Sequence, residues 1–214
     1  MKNFLKASAV TFTLLMVWTS WTAVLWGQPE YEIISLGQKG ADNSGGQAIS
    51  ASGQFAAGFS DNEPFLWEAG VGVTALSSEA TRPFSMPQAV NDSGIIAGIG
   101  ATTFFGSGAL PIVWQNGAAM IVDLPPGETL GRAYGINNGG LIVGSVDGGS
   151  AEQAATYSLD GPGTILTQTL AGGTLTTAFG VNNSGRIVGI ANDPMNAAVT
   201  KGFYPVSYTH LRAH

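Results

Sequence analysis

The chain has 214 residues, only 10% of them charged, with 31 glycines, no cysteine and a net charge of −6. Low charge combined with 44% apolar residues argues against disorder, and the glycine share among many short apolar runs points to a turn-dense β protein. Without cysteine there is no disulfide framework, thiolate zinc site or cysteine nucleophile, and without a basic patch there is nothing to neutralise nucleic-acid phosphates.

The N-terminus carries Lys2 and Lys6, then a run of 20 uncharged residues from Ala7 to Trp26. This pattern resembles a secretory signal peptide. The run is also long enough to cross a bilayer. Residues 1–27 are therefore expected to form a hydrophobic helix that acts as a signal peptide or an uncleaved N-terminal anchor. Either reading puts the body outside the cytoplasm, secreted, extracellular or periplasmic, with membrane contact only through an uncleaved segment. The body, residues 28–204, holds five basic residues against fourteen acids.

A repeat dominates the body. Ala48 to Gly58, Ala89 to Gly98, Gly135 to Gly144 and Gly180 to Gly189 align, and their turn glycines Gly53, Gly94, Gly140 and Gly185 are 41, 46 and 45 positions apart. Each is expected to be a hairpin. Asn91, Asn137 and Asn182 open the turn, where an Asn side chain can accept a backbone hydrogen bond from two residues on. The glycine takes the left-handed conformation that a Cβ would penalise. The first copy has one extra residue between its glycines, read as a bulge. The apolar run Ile95-Ile96-Ala97-Gly98 suits a strand buried on both faces. Its closing glycine suits close backbone approach.

An aromatic-ended strand follows each hairpin: Pro64 to Trp67, Pro111 to Trp114, and more weakly Ala155 to Tyr157 and Gly202 to Tyr204. A strand ending in leucine recurs as Tyr31 to Gly37, Val73 to Leu76, Met120 to Leu124 and Ile165 to Leu170. Four short strands per 45-residue unit is the size of a propeller blade, with an open β-solenoid as the alternative. The units are placed at about 31–70, 71–117, 118–161 and 162–204. The expected fold is all-β: a partial β-propeller-like repeat of about four antiparallel blades, preceded by the N-terminal helix. The first strand, Tyr31 to Gly37, is expected to complete the last blade of a closed ring. Residues 205–214 break the rhythm, carry both histidines, and resemble an adapter-derived, non-native tail, so the natural protein is expected to continue.

The Gly-Ile-Asn-x-x-Gly-x-Ile-Val-Gly core, followed by an aromatic-ended and an Asp-Leu-ended strand, resembles the HAF-type extracellular repeats of exported bacterial proteins. The likeness covers about residues 31 to 204. The His-Ala-Phe that names the family is replaced by Glu63-Pro64-Phe65 and Leu110-Pro111-Ile112. The resemblance implies a propeller-like fold and an extracellular location, and no activity.

Few residues in the body offer chemistry. With the tail set aside no histidine remains, which excludes Ser-His-Asp catalysis and histidine metal sites. Asp61, Glu63 and Glu68 surround the first aromatic strand, and a glycosidase needs two acids. Nothing pairs them across units, so they read as solvated loop acids. Asp42-Asn43, Asn91-Asp92, Asp147 and Asn192-Asp193 lack the alternating spacing of a calcium loop and read as turn formers. Trp67, Trp114, Tyr157 and Tyr204 share one repeat position, suited to sugar stacking or, more simply, to the core between blades. The longest insertion, Gly100 to Leu110, carries Phe104 and Phe105 and is the foremost candidate for a contact surface. Ligand-binding candidates are thus Phe104, Phe105, Trp67 and Trp114, with no cofactor or metal expected. The function expected is an exported, non-enzymatic scaffold presenting loops to an extracellular glycan, matrix or protein ligand. A truncated exported propeller hydrolase or lyase, with its catalytic residues beyond the fragment, is the alternative.

Overall fold

A computed structural model of the chain describes residues 35–36, 44–61, 63–104, 106–147, 151–167, 169–170 and 173–203. The segment 1–27, most of the strand Tyr31 to Gly37, Phe105, Tyr204 and the tail 205–214 lie outside the described residues.

Every regular element among the described residues is a strand, and the strands form four antiparallel four-stranded sheets. The first sheet runs β1 (Ser44–Ile49), β2 (Phe55–Ser60), β3 (Glu63–Glu68) and β4 (Gly72–Ala75). The second runs β5 (Phe84–Val90), β6 (Ile96–Ala101), β7 (Leu110–Gln115) and β8 (Ala118–Ile121). The third runs β9 (Gly131–Ile136), β10 (Ile142–Asp147), β11 (Glu152–Ser158) and β12 (Gly161–Ile165). These three are meanders, each strand pairing with the next in sequence. The fourth holds β13 (Thr169–Leu170), β14 (Gly173–Val181), β15 (Ile187–Asp193) and β16 (Asn196–Phe203), in that order.

The sheets therefore end later than the repeat spacing suggests. Boundaries at 71 and 118 would cut β4 and β8 away from the strands they bond, and one at 162 would divide β12. A tight turn holds sequence neighbours in one ladder, as when β3 pairs β4 from Phe65↔Ala75 to Glu68↔Gly72.

Successive sheets pack in chain order. β5 lies against β1, β2 and β3; β9 against β5, β6 and β7; β14 against β9, β10 and β11. Each junction has its own apolar core. Ala57, Leu76, Ile96, Ile112 and Trp114 join the first two sheets. Ala97, Val113, Ile136, Ile142 and Tyr157 join the next pair. Val143, Leu175, Ala178, Ile187 and Phe203 join the last. Neighbouring residues of one strand thus serve different junctions: Ile96 points to the first sheet and Ala97 to the third, as the two-residue period of a strand requires. This is why β6 is an unbroken apolar run, buried along nearly its whole length.

The four hairpin turns follow the motif. Gly53, Gly94, Gly140 and Gly185 have φ between 71° and 79°. Each donates its N–H to the carbonyl three residues back, at Ser50, Asn91, Asn137 and Asn182. The extra residue of the first copy widens this turn: Ser50 N–H reaches Phe55 O, whereas Asn91 reaches Ile95. The β-bulge lies elsewhere. It occurs on the first hairpin strand of every sheet, where Gln47, Gln88, Tyr134 and Phe179 are skipped in the pairing register. The glycine closing each apolar run faces that bulge. A Cβ on Gly98 would collide with Met86 O, and one on Gly144 with Arg132 O.

Candidate functional site

The turns, besides closing hairpins, bind one sheet to the next. Asn91 Oδ1 accepts from Ser93 N–H and Ile95 N–H of its own turn, both at 3.0 Å. Its Nδ2 donates to Asn137 O at 3.1 Å, 46 residues away. Asn137 repeats this: Oδ1 accepts from Leu141 N–H, and Nδ2 donates to Asn182 O at 3.0 Å. A second rail runs beside it. Ser52 N–H donates to Asp92 Oδ1, Asp92 N–H to Asn138 Oδ1, and Asn138 N–H to Asn183 Oδ1, at 2.7–3.0 Å. Asn138 Nδ2 also donates to Asp92 Oδ2 at 2.6 Å. The Ser52 N–H, followed by the Asn138 amide, holds the Asp92 carboxyl below the ordinary carboxylate range. Asn91 and Asn137 are buried; Asn182, at the end of the row, is exposed.

The motif glycines and asparagines are thus structural, and the oxygens of Asn91 and Asp92 are engaged by protein hydrogen-bond donors. Asp61 and Glu63 sit at the β2–β3 hairpin, and Glu68 at the far end of β3. Five residues of strand separate Glu63 from Glu68 by about 17 Å, beyond the reach of a paired-acid mechanism. No group of three His, Cys, Asp or Glu side chains is placed to hold a metal ion among the described residues.

The shared aromatic position divides according to its surroundings. Trp114 is 1% exposed, and its Nε1 donates to Ser77 O in the segment after the first sheet. Tyr157 is equally buried and donates its hydroxyl to Ser145 O. Both belong to the core and have no accessible face for a ligand. Trp67 is half-buried. Leu66 packs toward the second sheet, so Trp67 points to the opposite face of the first.

Of three open hollows among the described residues, two lie near opposite ends of β5. One has a volume of about 380 Å³ and is lined chiefly by Phe59, Phe84, Met86, Ile99 and Phe104, with Arg132 the charged member. Phe104 is 63% exposed and meets Phe84 edge to face, ring centroids 6.3 Å apart. Arg132 lies 3.9 Å from Glu152, too far for a hydrogen bond. The turns at Thr103–Gly106 and Thr102–Ser107 shape this loop. The other hollow, about 470 Å³, adjoins the asparagine turns and the bulges Gln88, Tyr134 and Phe179. This second site carries no repeated residue type in the sequence, because the bulged residues differ from copy to copy. The signal available was their fixed offset, six positions before each turn glycine.

The chain matches no protein family and is significantly similar to no curated protein.

Proposed function

We propose that the chain is an exported, non-enzymatic binding scaffold of the HAF-type extracellular repeat kind, its sheets serving as blades of a propeller-like array. Export is supported by the Lys2/Lys6 cluster ahead of the uncharged run to Trp26. The propeller reading is supported by meander order in all four sheets, stacking in chain order, and first hairpin strands β1, β5, β9 and β14 that each lie beside the next.

The observation that carries the binding reading is the hollow under Phe104. A large apolar side chain stands exposed on a loop, over a concave apolar surface built from two rigid sheets. Loops held by a stiff scaffold are where proteins place recognition, and a hollow of this size accepts a small apolar group of a ligand. The test is a titration of the purified chain with a panel of small aromatic fragments, followed by NMR of the Met86 methyl and the Phe84 and Phe104 rings. The expected result is saturable shifts at these residues, weakened at least tenfold by Phe104→Ser. No shift at these residues, or equal binding to Phe104→Ser, would remove the hollow as the site.

A further inference from the structure

The four bulges share one design. Gln47, Gln88, Tyr134 and Phe179 stand at the same offset from their turn glycines, and each is left unpaired by the ladder. The next residue is always small: Ala48, Ala89, Gly135 or Gly180. The reason for a small residue is visible at Gly135, where an added Cβ would stand 3.1 Å from Phe179 O and 3.2 Å from Gly180 Cα. The backbone frame is therefore constant, while the side chain at the bulge varies in size and chemistry. A bulge re-aims its residue out of the sheet's alternation. Here it brings Gln88, Tyr134 and Phe179 to the wall of one hollow.

We propose that this hollow is a binding site for a neutral saccharide, with Gln88, Tyr134 and Phe179 as its specificity-determining residues. No residue lining it is charged. Tyr134 and Phe179 form a tilted aromatic pair, centroids 5.5 Å apart at 56°, with Phe179 49% exposed. Such a pair offers apolar ring faces on which the C–H face of a sugar ring packs. Gln88 supplies an amide that both donates and accepts, matching vicinal hydroxyls. The Tyr134 hydroxyl interacts with the Ser145 and Arg132 side chains, which do not line the hollow, so Tyr134 offers the ligand its ring. A strongly anionic sugar finds no cation in the lining, and a purely apolar ligand would leave the amide unused.

This inference rests on the binding-scaffold reading but uses a different site from the Phe104 hollow. The test is calorimetric titration of the full chain with hexamers of β-linked glucose, mannose and N-acetylglucosamine, and with a hexauronate as the charged counterpart. At least one neutral hexamer is expected to bind, with Tyr134→Ala and Phe179→Ala each weakening it tenfold or more. Tyr134→Phe should retain more affinity than Tyr134→Ala. Gln88→Leu keeps the bulge's bulk, so its loss of affinity reports the amide rather than misfolding; Val71→Ser, at an exposed turn, should bind as the parent does. The proposal is overturned if no neutral hexamer binds, if the hexauronate binds more tightly, or if the three sites can be replaced without effect. Chromatography of the titrated sugar separates the two readings: cleaved hexamer would end the non-enzymatic reading and leave the saccharide site standing.

Discussion

Trp67 and Trp114 occupy the same place in successive units but have different surroundings. Trp114 lies between two sheets, fully buried and hydrogen-bonded to a neighbouring segment; Trp67 lies on the face of the first sheet turned away from the second and is half-buried. Asn137 and Asn182 differ in the same way: one bonds forward to the next turn, the other is exposed at the last. Val143 is buried between sheets, while its counterpart Val188 is 46% exposed. In this array a residue's burial depends on the sheet beside it more than on its type, as expected where units bury their faces only against neighbours.

The sharpest way to break that comparison is to truncate the two tryptophans. Trp114→Ala is expected to cost about 3–5 kcal/mol, the range for a buried aromatic. Trp67→Ala should cost less than half of that, both read from urea denaturation of the same chain. Equal losses would mean that position, not neighbourhood, sets the cost. The asparagines give a smaller contrast. Asn137→Ala removes a buried amide and leaves Asn182 O and Leu141 N–H without it, a loss of about 2 kcal/mol. Asn182→Ala removes bonds within its own turn, at Ser184 and Arg186, and is expected to cost about 1 kcal/mol. The smallest effect concerns Asp92. Its folded-state pKa is depressed, so its contribution is present above the ordinary carboxylate pKa and lost as pH falls through the lower folded value. Thermal melts from pH 7 downward should show the parent losing stability below about pH 4 more steeply than Asp92→Asn.

Much of this was legible in the sequence. The positive φ of Gly94, the self-capping of Asn91 and the two-faced burial of β6 follow from local rules about turns and strand periodicity. The crowding at Gly98 was also legible, because a glycine closing an apolar run has few other reasons to be there. Its cause was not: the carbonyl of Met86 presses on Gly98 through a bulge on the partner strand, and register is a property of two segments. The ladder between sheets was missed for a related reason. Satisfying Asn Oδ1 within the turn leaves the amide hydrogens unassigned, and their acceptors lie 45 or 46 residues away. A clue was present, since the first turn position is Asn three times and never Asp, which in its ionised form accepts but does not donate. The Phe104 loop stood out by its length and composition. The hollow at the bulges did not, because alignment of repeats rewards sameness and this site is built from the positions that differ.

The first turn carries Ser50 and Ala51 where later turns carry an amide and a carboxylate or amide. Asn91 and Asn137 each give a side-chain amide proton forward, toward the following sheet, so that rail of the stitching has a direction. A module with an Asn pair can both receive a stitch and pass one on; the Ser50–Ala51 module lacks the side-chain carbonyl that receives the second rail in the later turns. Copying any module behind it would carry donor and acceptor together and keep the row in register. The same small motif that closes a hairpin thus makes the array lengthen by simple duplication, with no new interface to invent.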